Sequence, residues 1–261
     1  MLKWLEKGLT SLYVDTHSKA EMMVESVSDW IKQQVEEAGC KGTVTGLSGG
    51  IDSAVVAALS KRVFPEDTLG VIMPCYSEPR DEEDALLFAE HHNINVKNLD
   101  LSETYDSMVG KLDDTESTSK MALANIKPRL RMTVLYYYAQ TYKYLVLGTS
   151  NKSELILGYF TKYGDGAADL LPIATFTKME VYALARQLEI PERLIKRPPT
   201  AGIISGQTDE DEMGFTYDEL EKYFKGEQIS KDVKNKIERL ERINAHKRSM
   251  PPIYTPKESL N

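Results

Sequence analysis

Short apolar runs of β type alternate with longer stretches whose apolar positions recur at helical spacing. Residues 43–47, 69–73, 95–99 and 144–148 read as strands, the second of them ended by Pro74. Between them lie a helix over 52–62 and a helix over 81–92, in which Ala85, Leu86, Phe88 and Ala89 follow an acidic first turn. A long helix is predicted over 118–142. Earlier, Trp4, Leu5, Leu9 and Leu12 lead into a helix over 20–38 that carries Met23, Val24, Val27, Trp30, Ile31 and Val35. Near the other end, Val233, Ile237, Leu240 and Ile243 mark an amphipathic helix over 230–248, ended before Pro251 and Pro252. Strands alternating with helices at this spacing predict βαβ units. Right-handed crossovers then put helices on both faces of a doubly wound parallel sheet. The fold class is α/β, Rossmann-like. No linker long enough to separate domains is visible, so one domain over 1–261 is expected. The stretch 197–214 is punctuated by Pro and Gly and carries an acidic run; residues 200–214 read either as a segment that closes over ligands or as a merely solvated acidic loop.

Composition narrows the function classes. With 41% hydrophobic and 28% charged residues, the chain has the profile of an ordinary globular protein. Its longest apolar runs, such as 54–59, hold about half a dozen residues where a bilayer span needs ~20, so no membrane partner is expected. The N-terminus has no apolar signal region, and two cysteines, Cys40 and Cys75, build no disulfide scaffold. A reduced, cytoplasmic setting is the economical expectation. A formal charge of −8 argues against a nucleic-acid partner, since phosphate-backbone binding needs a basic surface. A small phosphorylated substrate remains compatible, because a local cation cluster suffices to hold it.

The most informative stretch is Gly46-Leu47-Ser48-Gly49-Gly50-Ile51-Asp52-Ser53, between a predicted strand and a predicted helix. Ser48, Gly49 and Gly50 let the backbone turn tightly and aim successive N–H groups at one point. The helix that follows adds its N-terminal partial positive charge, which makes a phosphate site. The Lys-Ser/Thr pair of a Walker A loop is absent, and the glycines do not follow the dinucleotide fingerprint. Asp52 would repel the anion unless a metal intervened. Mg²⁺ shared between Asp52 and phosphate oxygens resolves the conflict.

Ser48-Gly49-Gly50-Ile51-Asp52-Ser53 resembles the signature loop of the N-type ATP pyrophosphatases, which include NAD, GMP, asparagine and argininosuccinate synthetases. Three further blocks narrow the resemblance to the NAD synthetases. These are 125–132 (N-I-K-P-R-L-R-M); 148–154 (G-T-S-N-K-S-E) with 158–166 (G-Y-F-T-K-Y-G-D-G) and Asp169; and 196–202 (K-R-P-P-T-A-G) with the late His246-Lys247-Arg248. Ala167, where the family usually carries a third glycine, and Pro128, where alanine is common, are departures. Pro128 is compatible with the first turn of a helix.

The resemblance implies amidation of deamido-NAD by ammonia at the expense of ATP, through an acyl-adenylate, with release of AMP and pyrophosphate. No side chain is needed as a covalent nucleophile, and Cys75 reads as a strand-end residue. Glu154, placed in a loop at the carboxyl edge of the sheet, is expected to meet Asp52 across one Mg²⁺. Thr149 and Thr200 can give hydroxyls to ATP, though either residue also suits a turn. The resemblance further implies that Lys178 reaches the ATP phosphates, and that Arg129, Lys162, Asp169, His246 and Lys247 hold deamido-NAD. It also implies a homodimer. Nothing before Gly46 is large enough for a glutaminase domain, which leaves ammonia as the expected nitrogen source. A GMP synthetase ATPase subunit and a nucleotide-sensing module are the rival readings. Asn151-Lys152-Ser153 fits the glycosylation pattern, a match taken as accidental.

Overall fold

The computed structural model describes residues 16–112, 119–198 and 209–255. In chain order the elements are α1 (Thr16–Glu37), β1 (Gly42–Gly46), α2 (Ile51–Val63), β2 (Thr68–Ile72), α3 (Pro79–His91), β3 (Asn95–Asn98), α4 (Ser102–Val109), α5 (Lys120–Ala124), α6 (Ile126–Tyr142) and β4 (Tyr144–Val146). After these come α7 (Lys152–Leu157), α8 (Lys178–Gln187), α9 (Glu192–Ile195), α10 (Asp209–Met213), α11 (Tyr217–Phe224), α12 (Lys231–Ile243) and a 3₁₀ turn over Ala245–Lys247.

The four strands form one parallel sheet in the order β3-β2-β1-β4. β1 and β2 are buried on both faces, as strands covered by helices on each side must be. On one face α1, α2, α3 and α8 enclose the largest apolar cluster, with Ile31, Val55, Leu59, Phe88 and Leu184 at its centre. α2 shows almost no polar stripe, because it is pressed between the sheet and α1 and α8. On the other face α6 packs on β1 and β4 through Leu130, Val134, Leu135 and Ala139. A third cluster joins α7, α11 and α12 through Leu157, Leu220, Val233 and Ile237. Two residues of the predicted α12 stripe, Val233 and Ile237, are core, whereas Ile243 is exposed.

Several expected boundaries move. The long helix expected over 118–142 breaks at Asn125, with α5 before it and α6 after. Pro128 lacks an N–H and crowds the carbonyl four residues back, so a helix can carry it only in a first turn, which is where α6 places it. Glu154, expected in a loop, is the third residue of α7. The predicted 230–248 helix stops at Ile243 and continues as the 3₁₀ turn. β4 is only three residues long, but a parallel bridge from Leu147 to Leu170 extends its line by one position.

Candidate active site

In this strand order the connections turn opposite ways on either side of the β1–β4 boundary. The loops leaving the carboxyl ends of β1 and β4 therefore splay apart and open a crevice, the place where open α/β sheets bind ligands. The loop after β1 is the glycine-rich turn that the sequence predicts to be a phosphate loop. The loop after β4 carries Thr149, half-buried, and leads into α7.

Local geometry explains the residues of the phosphate loop. Gly46 ends β1, and the amide of Leu47 still bonds the Val71 carbonyl at 2.9 Å before the chain turns. Gly49 has φ +76°, and a Cβ there would lie 2.3 Å from the backbone oxygen of Asp81, so only glycine fits. The Ser53 hydroxyl donates to the Gly50 carbonyl at 2.9 Å and accepts from the Ser48 amide at 3.3 Å. The Ser48 hydroxyl in turn accepts from the Gly50 amide at 3.2 Å. The turn is braced before any ligand arrives. Ile51, Asp52 and Ser53 occupy the first turn of α2, where N–H groups have no intrahelical acceptor and the helix dipole favours an anion.

Beside this loop four side chains from three elements converge. Lys178 opens α8, set by a capping box in which Thr177 and Glu180 exchange hydrogen bonds. Its Nζ lies 2.5 Å from Asp52 Oδ2, with the lysine side chain 4% and the aspartate 16% exposed. Burial alone would push this ammonium down in pKa; the carboxylates of Asp52 and Glu154 outweigh it and raise the value above the ordinary lysine range. Asn151, fully buried, donates from Nδ2 to Asp52 Oδ1 at 3.0 Å and accepts from the Glu154 amide at 3.1 Å. Asp52, Asn151, Glu154 and Lys178 thus form one polar cluster at the mouth of the phosphate loop. Among the described residues, no three His, Cys, Asp or Glu side chains make a metal site by themselves. Two hard carboxylates beside a phosphate-binding loop suit Mg²⁺, which takes one or two protein carboxylates and completes its shell from phosphate and water.

A second group lies around the C-terminal end of α7. That helix has six residues and spans about 9 Å, so the two groups flank opposite ends of it. Arg129 Nη2 donates to the Lys162 carbonyl at 3.3 Å, and Lys162 Nζ donates to the His246 carbonyl at 2.6 Å. Lys247 Nζ donates to the carbonyls of Gly158 and Phe160 at 2.7 and 2.9 Å, and burial lowers its pKa against the opposing pull of Asp165. Four of the five expected dinucleotide residues are therefore brought together, with Lys247 also pinning the chain after α7. Asp169 is elsewhere: its carboxylate accepts from the Val146 amide at 2.8 Å and from the Tyr136 hydroxyl at 3.4 Å. Burial, with Asp169 nearby, pushes the Tyr136 phenol up to about 12. Thr200 lies outside the described residues, as does most of the stretch 197–214, so the choice between a closing segment and a solvated loop falls there too.

Sequence reasoning missed Asn151 and Arg131. The pattern Asn151-x-x-Glu154 is that of a capping box and announces a helix start there. Its complete burial also disposes of the glycosylation match. Arg131 Nε bonds the Met73 carbonyl at 3.0 Å and Nη2 the Ser77 hydroxyl at 3.3 Å, tying α6 to the loop after β2, with burial pulling its pKa down. Cys75, in the same loop, is fully buried and its thiol is pushed up by burial, as suits a packing residue.

A strand-loop-helix turn at the switch point, beside a lysine-neutralised carboxylate, is set in an α/β enzyme with the adenine nucleotide alpha hydrolase-like fold, of an ATP-using family. The family model for NAD synthase matches residues 23–251, and the chain belongs to that family. It is 48% identical to an NH(3)-dependent NAD(+) synthetase of Carboxydothermus hydrogenoformans, over 89% of this chain and 97% of the relative. Among solved structures, an NMN synthetase from Francisella tularensis superposes with a TM-score of 0.85 at 36% identity, covering 91% of this chain and 98% of that one. An NH3-dependent NAD synthetase from Campylobacter jejuni gives 0.77 at 32% identity, covering 90% and 99%.

Proposed function

We propose that this chain is a single-domain, ammonia-dependent NAD synthetase that converts deamido-NAD, ATP and ammonia into NAD, AMP and pyrophosphate. The observation that carries the reading is the Asp52–Lys178–Asn151–Glu154 cluster set at the mouth of the phosphate loop. In the first step an oxygen of the nicotinate carboxylate attacks the α-phosphorus of ATP, and the bond to the departing pyrophosphate breaks. This yields a mixed anhydride with a good leaving group. In the second step ammonia attacks the anhydride carbon, AMP leaves, and the surplus proton passes to solvent.

Positioning and charge neutralisation dominate such chemistry. The amides of 51–53 face the triphosphate, and Lys178 offers a buried cation to it. Mg²⁺ held by Asp52 and Glu154 would neutralise further phosphate charge when bound. Asn151 fixes the rotamer of Asp52 and the backbone of Glu154. Arg129, Lys162 and His246 offer donors to the acceptor's phosphates, and Lys247 holds the chain after α7 beside them; Asp169, apart from this group and next to β4, suits a ribose hydroxyl. The same reading places the enzyme in the cytoplasm and takes it to be a homodimer; sedimentation of the purified protein checks the second.

The likeness to the Francisella NMN synthetase favours one alternative acceptor, the nicotinate mononucleotide. Incubation with ATP, Mg²⁺, ammonium and either acceptor, with AMP and the amidated product measured, decides between them. Efficient turnover of deamido-NAD is expected. Turnover of the mononucleotide alone would replace the proposal, and AMP release with neither would reject both.

A further inference from the structure

Asp84 is fully buried on α3, yet it is surrounded by charge. Arg80 Nε lies 3.4 Å, Arg193 Nε 2.5 Å and Arg197 Nη1 3.1 Å from its oxygens. Arg193 also reaches Glu83 at 2.8 Å, and the second terminal nitrogen of Arg197 pairs with Asp81. Three guanidiniums thus face three carboxylates. An ion-pair network around a buried carboxylate, with Arg80, Arg193 and Glu83 on its exposed side, is weak evidence for stability, because desolvation and solvent screening consume most of what the attraction returns. Its more useful property is geometric. A planar guanidinium bonding two carboxylates at once fixes both in one rigid fork, whereas a lysine's rotatable ammonium can touch two carboxylates without fixing their orientation.

The position of the network gives that geometry a purpose. Asp81 and Asp84 belong to the first turns of α3, and the Asp81 carbonyl is the atom against which Gly49 rests. With a hypothetical Cβ only 2.3 Å away, the fit leaves no slack, so the first turn of α3 is the backstop of the phosphate loop. Arg193 stands on α9 and Arg197 just beyond it, and α9 packs on α8, whose first residue is Lys178. The network therefore ties the element that backs Gly49 to the element that delivers Lys178. The cationic group beyond α7 shares none of these contacts.

We propose that Arg197, with Asp84 as its buried anchor, is a positioning residue for ATP: it holds Asp81 against Gly49 and keeps the phosphate loop aligned with Lys178. The proposal rests on the ATP site described above and adds residues remote from the nucleotide.

Arg197→Gln and Arg197→Lys test it through two readouts. In steady-state kinetics, Arg197→Gln is expected to raise the KM for ATP by at least about tenfold while that for the acceptor stays within about threefold. Arg197→Lys, which keeps the charge but not the planar fork that orients two carboxylates, is expected to fall between parent and Gln variant. In thermal melts, ATP is expected to raise the Tm of the parent but barely that of Arg197→Gln, while the acceptor stabilises both. If the Gln variant does not fold, the Lys variant carries the same comparison. An unchanged KM for ATP, or equal rises for both substrates, would overturn the proposal. If the parent binds ATP but turns over neither acceptor, the functional reading fails by itself, and the ATP-induced Tm shift still decides the role of Arg197.

Discussion

Neutralising Asp52 is expected to cost stability as well as turnover, and a double-mutant cycle with Lys178 separates the two. Asn at position 52 keeps the shape of the carboxylate but leaves the Lys178 ammonium, 4% exposed, with only Glu154 for charge. Breaking a buried pair by removing one partner costs about 3–5 kcal/mol; Asp52 is 16% exposed and Glu154 remains, so about 2–3 kcal/mol is expected here. Lys178→Met leaves a carboxylate that water and the Asn151 amide can still serve, for about 1–2 kcal/mol. The double variant replaces the pair by neutral groups of similar volume and should lie within about 1 kcal/mol of the parent. The coupling between the sites is then at least about 2 kcal/mol, well above the ~0.5 kcal/mol within which independent sites add. Urea unfolding of all four proteins at neutral pH, followed by circular dichroism, measures it. AMP release should fall by at least about tenfold in every variant, including the double one, because restoring stability does not restore the charges that face the triphosphate. Additive stabilities, or a parent-like Asp52→Asn, would show that the pair is solvated and the argument wrong.

Glu154→Gln should reduce turnover by about tenfold or more at saturating ATP. Its effect on folding should be slight, because the amide oxygen can still accept at the α7 cap; normal turnover at low Mg²⁺ would remove Glu154 from the metal. Arg129→Ala or Lys162→Ala should weaken the acceptor roughly 10–150-fold, the worth of one charge-assisted hydrogen bond of ~1.5–3 kcal/mol, and ATP much less. Equal losses for both substrates would place these residues between the two sites. His92 is held neutral, with burial first and neighbouring His91 second pulling its pKa down to about 4 from the ordinary 6.5. The unfolded chain therefore binds the extra proton first, and stability should fall as pH drops from about 6.5 towards 4. For a partly solvated ring the loss is about 1–2 kcal/mol, and His92→Asn should flatten that part of the profile; identical slopes in parent and variant would sink the assignment.

The alternation of short apolar runs and helical stripes determined the parallel sheet and helices on both faces, since strand and helix periods differ and a doubly covered strand must be apolar throughout. The braced turn after β1 was legible for a local reason: its glycines, hydroxyls and helix start act within eight consecutive residues. Glu154 and Lys178 were named from sequence, but their meeting depends on strand order, which brings loop ends nearly a hundred residues apart to one crevice. Asn151 was invisible as a functional residue because its partner Asp52 lies 99 positions away, and only burial turns that amide into a brace. The break at Asn125 followed from Pro128, whose helix could be drawn through it on periodicity alone. The network around Asp84 lay wholly beyond sequence reading: charged residues on α3, on α9 and just after it look like ordinary solvated positions until packing buries one carboxylate among three arginines. Local chemistry is written in neighbouring residues. Which distant charges share one site is decided by tertiary packing, because Coulomb and desolvation energies depend on separation and burial in space and not on distance along the chain.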